Sequence, residues 1–151
     1  MARALIALVV LVLSGCGYSA PTLRVAEVAL HERTAEGMVV MVSIDADNRN
    51  EVELPLRDVS YTVTLENGWS FSGTRSPEAS LRRLGTQRFR FPAVFAFPDG
   101  AAPTGPIVVS VSGRVGYTAP GRLAQDLFDA GIRRPSASFR GQGRVSLEAA
   151  P

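Results

Sequence analysis

The sequence predicts an all-β protein: an antiparallel β-sandwich of about seven strands with one short helix. Three observations carry that reading. From Leu23 onward, apolar and polar residues alternate in run after run, the period of half-buried strands. Asn67-Gly68 stands between two of these runs, and Asn-Gly is the strongest short-range hairpin signal. The runs recur at the spacing of a sandwich, and only one segment has helical spacing.

Taken in order, Leu23 to Arg33 is the first strand. Met38 to Ala46 is the second, with Val40, Val42, Ile44 and Ala46 on one face. Asp58 to Glu66 turns Val59, Tyr61, Val63 and Leu65 inward and Ser60, Thr62 and Thr64 outward. Trp69 to Thr74 should pair back on it through the Asn-Gly turn. Arg88 to Phe95 sets Phe89, Phe91 and Phe95 against Arg88 and Arg90. Ile107 to Thr118 carries Ile107, Val109, Val111, Val115 and Tyr117 on one side, and Ala137 to Leu147 offers Phe139, Val145 and Leu147. Pro55 cannot donate to a ladder, so it is expected in a crossing between strands.

The exception is Arg122 to Ile132. Leu123, Leu127 and Ala130, with Ala124 and Phe128, recur at helical spacing after Pro120, and Gly131 is placed to cap the end. The expectation is a short amphipathic helix packed across one end of the sandwich. At this length its apolar stripe reads as core, with a membrane-facing role as the alternative.

The beginning of the chain has a different character. Met1 to Cys16, MARALIALVVLVLSGC, has one arginine, an apolar run from Ala4 to Leu13 and then small residues. That order is a secretory signal, too short and wrongly flanked to span a bilayer. Leu13-Ser14-Gly15-Cys16 resembles the lipobox of bacterial lipoproteins, in which the cysteine is acylated and becomes the new N-terminus. Cys16 is the only cysteine, so no disulfide partner exists within the chain. The other reading is an ordinary unpaired thiol. Residues 1–15 are thus read as signal peptide, 16–22 as a lipidated tether and 23–149 as the folded domain. Gly17 after the cysteine resembles cargo bound for the outer membrane, periplasmic face, in bacteria that have one.

Composition limits the function. Apolar residues make up 46% of the chain and charged ones 20%, which fits an ordered core rather than a disordered protectant. All the basic residues are arginine, and without Arg3 the remainder is near neutral, so no nucleic-acid partner is expected. No cofactor and no enzyme activity are expected either. The stretch from Asp45 to Leu56 suggests a calcium loop, but Arg49 and Leu56 stand where an EF-hand needs oxygen ligands. An irregular site from Asp45, Asp47 and Glu51 is the residual alternative, and no metal is expected. His31, the single histidine, lacks the serine context of a triad, and with Cys16 it cannot assemble a zinc set. Arg82, Arg83, Arg88 and Arg90 could meet anionic headgroups, or could simply block edge-to-edge strand pairing.

The segment Val39 to Thr74 resembles the WHy (water stress and hypersensitive response) domain of group 2 late embryogenesis abundant proteins. The resemblance rests on Asn48 and Asn50 after an apolar strand, then Leu54-Pro55-Leu56, then Val59 and Tyr61, and then Gly73 in a small hairpin. Ser138 to Leu147 looks like the family's closing strand. The resemblance implies an immunoglobulin-like or fibronectin-III-like sandwich and a role in desiccation, cold or other stress, shielding client proteins or membranes. It brings no catalytic residues. The expected function is therefore a non-enzymatic, lipid-anchored stress protector. The alternatives are an envelope module that docks a partner protein, or a carrier of apolar ligands such as lipid.

Overall fold

The computed structural model describes residues 18–98 and 102–147. Among them eight strands and one helix follow in the order β1 (Thr22–Arg33), β2 (Gly37–Asn48), β3 (Leu54–Leu65), β4 (Ser70–Arg75), β5 (Ser80–Leu81), β6 (Gly85–Ala96), β7 (Ile107–Tyr117), α1 (Arg122–Asp129) and β8 (Ser136–Val145). Strands β1-β2-β6 form one sheet and β4-β3-β7-β8 the other, with β5 pairing the start of β3. Every pairing is antiparallel. The architecture is the antiparallel sandwich that the alternation implies.

The alternating faces meet between the sheets. Val40 of β2, Val63 of β3 and Val109 of β7 have no exposed surface, and Ile44, Val59, Leu65 and Val111 are buried around them. Tyr61 adds a polar link across this core. Its ring lies 5.4 Å from that of Phe91, and its hydroxyl donates to the Pro92 carbonyl at 2.6 Å on the opposite sheet. Tyr61→Phe keeps the ring but strands that acceptor, so unfolding free energy should fall by about 1 kcal/mol in urea titrations. An unchanged midpoint would mean that solvent already satisfies Pro92.

Along one side, β8 and β1 come unusually close. A Cβ on Gly141 would meet Val25 Cβ at 2.6 Å, and one on Gly143 would meet Val28 Cβ at 2.9 Å. Only hydrogen at these two positions lets the sheets close there.

Several features depart from the sequence reading. Strand β3 begins at Leu54 rather than Asp58, because a register shift between Leu56 and Val59 breaks the two-residue period. Pro55 therefore lies inside a strand and not in a crossing. It is tolerated as the second residue of the strand because its nitrogen and carbonyl face the side where β7 has already ended, and there the carbonyl accepts from Thr118 N at 2.9 Å; on the other side it pairs with Ser80 of the two-residue β5. The two-residue β5 is too short to show any period. The domain also takes in Tyr18 to Pro21, which the sequence assigns to the tether: Tyr18 packs edge-on to Tyr117 at 6.4 Å, and Pro21 is buried.

Helix α1 ends as its glycine implies. Gly131 has φ 73°, its N–H donates to Phe128 O, and Ile132 N–H donates to Leu127 O, a Schellman closure. Its packing differs from the expectation. No residue of α1 is buried, and Leu123 is 72% exposed. The helix is held instead at Phe128, whose ring receives the guanidinium groups of Arg57 at 5.0 Å and Arg134 at 5.8 Å.

Candidate functional site

The Asn48–Asn50 pair organises one end of the sandwich. At this end β2 finishes, β3 and β6 begin, β7 finishes into α1, and the chain enters at Tyr18. The turn from β2 to β3 leaves many backbone groups without ladder partners, and Asn48 collects them. Its side chain is fully buried, with Nδ2 donating its two hydrogens to the carbonyls of Val52 (2.9 Å) and Arg82 (3.0 Å), one of them shared with Leu81 O (3.3 Å). Its Oδ1 accepts from the backbone N–H of Asn50 at 3.0 Å and from Asn50 Nδ2 at 2.7 Å. One amide thus ties three segments together.

Asn50 extends the network to the incoming chain. Ser19 N–H donates to Asn50 Oδ1 at 2.7 Å, and Asn50 Nδ2 donates to Ser19 O at 2.8 Å. The Asn50 carbonyl in turn accepts from Leu84 N–H at 3.0 Å. The turn from Arg82 to Leu84 is therefore pinned on both flanks, with Leu81 fully buried at its root. Leu84 itself has φ 48°, in the left-handed region that disfavours side chains other than glycine. Its side chain nonetheless stands 66% exposed, between Arg83 and Gly85.

The other residues of the candidate motif are structural. Leu54, Leu56, Val59 and Tyr61 are buried inward-facing positions of β3, and Gly73 lies on β4 directly opposite Tyr61, beneath the Phe71 ring. Cys16 lies outside the described residues.

The four candidate arginines fall in two places. Arg82 and Arg83 are exposed on the pinned turn. Arg88 and Arg90 are on the outer face of β6, where Arg88 Nε donates to Asp45 Oδ1 at 2.7 Å and Nη2 to Oδ2 at 3.1 Å, while Arg90 stands opposite Ser43. Arg24 approaches Asp45 from the other side at 3.8 Å. Asp47 accepts from Thr86 at 3.0 Å and Arg49 at 3.1 Å. These two carboxylates are engaged by arginine and threonine, and Glu51 points to solvent. Among the described residues no three His, Cys, Asp or Glu gather as a metal set.

The hydrogen bond from Arg88 holds the Asp45 carboxyl below its usual value of 3.8. A carboxyl depressed in the folded state stabilises above its unfolded value, and that contribution is lost as pH falls through the folded one. Asp45→Asn should therefore narrow the stability difference between pH 6 and pH 2 in urea titrations. Parallel profiles for the two proteins would show that the pair adds nothing.

The opposite sheet presents a different surface. Hydroxyls line its outer face in cross-strand pairs, Ser60 with Thr74 at 3.3 Å and Thr62 with Ser72 at 2.9 Å. They floor a shallow open groove of about 850 Å³ that Arg114 and Arg140 border. Sequence alternation marks these positions as outward but cannot show that they form one face.

Comparison of the fold with solved structures returns a consistent group. The chain aligns over 96% of its length with 78% of a candidate late embryogenesis abundant (LEA) protein, At2g46140.1, known from a solution structure, at a TM-score of 0.65 and 16% identity. The fold is of LEA type. It also matches the solution structure of AT1g01470 from Arabidopsis thaliana, at a TM-score of 0.59 and 13% identity, over 92% of this chain and 91% of that one. A crystal structure of a protein from Archaeoglobus fulgidus aligns over 89% of this chain and all of the other, at 0.50 and 9%. No protein-family model matches the chain, and no curated protein matches it by sequence. In this LEA-type fold the Asn48 hub sits where the resemblance in sequence is densest. Sequence reading found Asn48 and Asn50 through that resemblance; it missed Ser19 and Leu84, which no period marks.

Proposed function

We propose that the protein is a non-enzymatic, lipid-anchored protector that shields envelope proteins or membranes during desiccation, cold or related stress. The observation that carries this reading is the likeness to the LEA protein across nearly the whole chain. The Leu13 to Cys16 pattern supports anchorage through an acylated Cys16, on the periplasmic face of the outer membrane where the cell has one. A rigid core supports protection by surface contact, since Val40, Val63 and Val109 fill the space between the sheets and leave an apolar ligand little room.

Two measurements test the proposal separately. In freeze–thaw cycles with a labile enzyme, the protein should preserve more activity than an equal mass of serum albumin; equal protection would remove the stress role. A fatty-acid probe should label the wild type and not Cys16→Ser, and labelling of both would remove the anchor.

A further inference from the structure

Five large apolar side chains stand exposed among the described residues: Val52, Leu84, Val94, Leu123 and Ile132. Val94 lies on the outer face of β6 opposite Val39, away from the Asn48 end. The other four are all at the Asn48 end, on the β2–β3 turn, on the pinned turn before β6, and on α1 and the segment after it. At the far end, the tight turns carry Thr34 to Glu36 and Glu66 to Gly68. Among the described residues, four of the five exposed large apolar side chains thus stand at the end where the chain enters.

Charge sorts the four further. Leu84 follows Arg82 and Arg83, Leu123 follows Arg122, and Ile132 precedes Arg133. Among the described residues none of these arginines pairs with a carboxylate, in contrast to Arg24, Arg49 and Arg88. Val52 stands between Glu51 and Glu53 and does not share the pattern. On α1, Asp126 follows Leu123 by three residues and shares its exposed side, while Asp129 lies across the helix from Leu127, so the arginines here stand among carboxylates without pairing to them.

We propose that this end is a docking face for an anionic lipid bilayer. Leu84, Leu123 and Ile132 enter the headgroup region, and the adjoining arginines meet lipid phosphates. Separate apolar tips, each beside a long cationic side chain, suit an interface where carbon sinks and charge stays wet. A protein partner would favour a contiguous apolar core, whereas these apolar tips are carried singly on three separate segments. The conformation of Leu84 agrees: its N–H is held by Asn50 in the left-handed region, and two thirds of the residue is left uncovered in return. The proposal rests on the anchor reading only for its geometry, since the described chain begins, at Tyr18, at this same end.

The test uses the full chain bearing one fluorescent reporter cysteine at position 84, 123 or 94, in the wild-type and Cys16→Ser backgrounds. It is mixed with vesicles of phosphatidylethanolamine and phosphatidylglycerol that carry nitroxide headgroups. Sedimentation reads the anchor, and quenching reads the docked face. Reporters at Leu84→Cys and Leu123→Cys should be quenched and one at Val94→Cys should not. Arg82→Gln with Arg83→Gln should lower the docking equilibrium constant, read from quenching against lipid concentration in the Cys16→Ser background, about fivefold for each charge removed. Chain that sediments while positions 84, 123 and 94 quench alike overturns the docking face and leaves the anchor standing. Selective quenching that survives in Cys16→Ser establishes the face without the anchor. Reporters at 84 and 123 that self-quench with rising protein concentration, without response to nitroxide, overturn the bilayer in favour of a second copy.

Discussion

Asn48→Ala should destabilise the protein by about 3 kcal/mol, a large share of the roughly 5–15 kcal/mol that holds a typical domain together. The substitution deletes one side chain but strands several backbone groups. The carbonyls of Val52, Leu81 and Arg82 lose their donor, and Asn50 N–H loses its acceptor. Each buried group left alone costs about 1–3 kcal/mol, and those that reach water on relaxation cost less. Asn48→Asp separates polarity from volume. It keeps the shape but turns an oxygen toward three carbonyl oxygens, so at neutral pH it should be at least as damaging. The environment raises the new carboxyl in the folded state. Its stabilising, protonated form is then present below the unfolded value and lost as pH climbs, so Asn48→Asp should partly recover toward pH 4 in urea titrations while Asn48→Ala does not. Identical pH profiles for the two variants would show that Asn48 only fills space.

Gly113→Ala should cost about 3 kcal/mol for the opposite reason, because nothing can be added there. A Cβ at this position would sit 2.6 Å from the Ser60 carbonyl on β3 and run into the Phe139 ring on β8. The ring can turn aside, but the carbonyl belongs to the β3–β7 ladder. Phe139→Leu in the same background should therefore return only part of the loss. Full rescue would place the whole clash on the ring. The lesion should appear as a lower urea midpoint with faster unfolding.

How much of this was legible in the sequence depends on whether a physical signal repeats. Strands β2, β6, β7 and β8 show their faces because residues two apart share one environment over ten or more positions. The first turn of β3 is hidden by its bulge, and β5 by its length. Helical spacing marked α1 correctly, and Gly131 marked its end, but spacing reveals that a stripe exists and not what covers it. The exposure of Leu123 therefore lies beyond any wheel. Asn48 was visible only through resemblance, since a buried amide looks like any turn asparagine until its three carbonyls surround it. Arg88 and Arg82 read alike as letters, yet one faces Asp45 across a ladder and the other stands on an open turn.

The placement of the termini carries a mechanical consequence. The described chain enters at Tyr18 at the Asn48 end and leaves at Leu147 at the other, where the Leu147 carbonyl accepts from Arg33. Tension between these points runs parallel to the strands. It cannot peel β1 away one bond at a time. It must slide β1 along β2, from the Thr22–Asp47 pair to the Arg33–Met38 pair, or β8 along β7, in either case against a whole ladder together. A domain held at one end and tugged at the other is thus loaded in shear, the direction in which a sheet yields last.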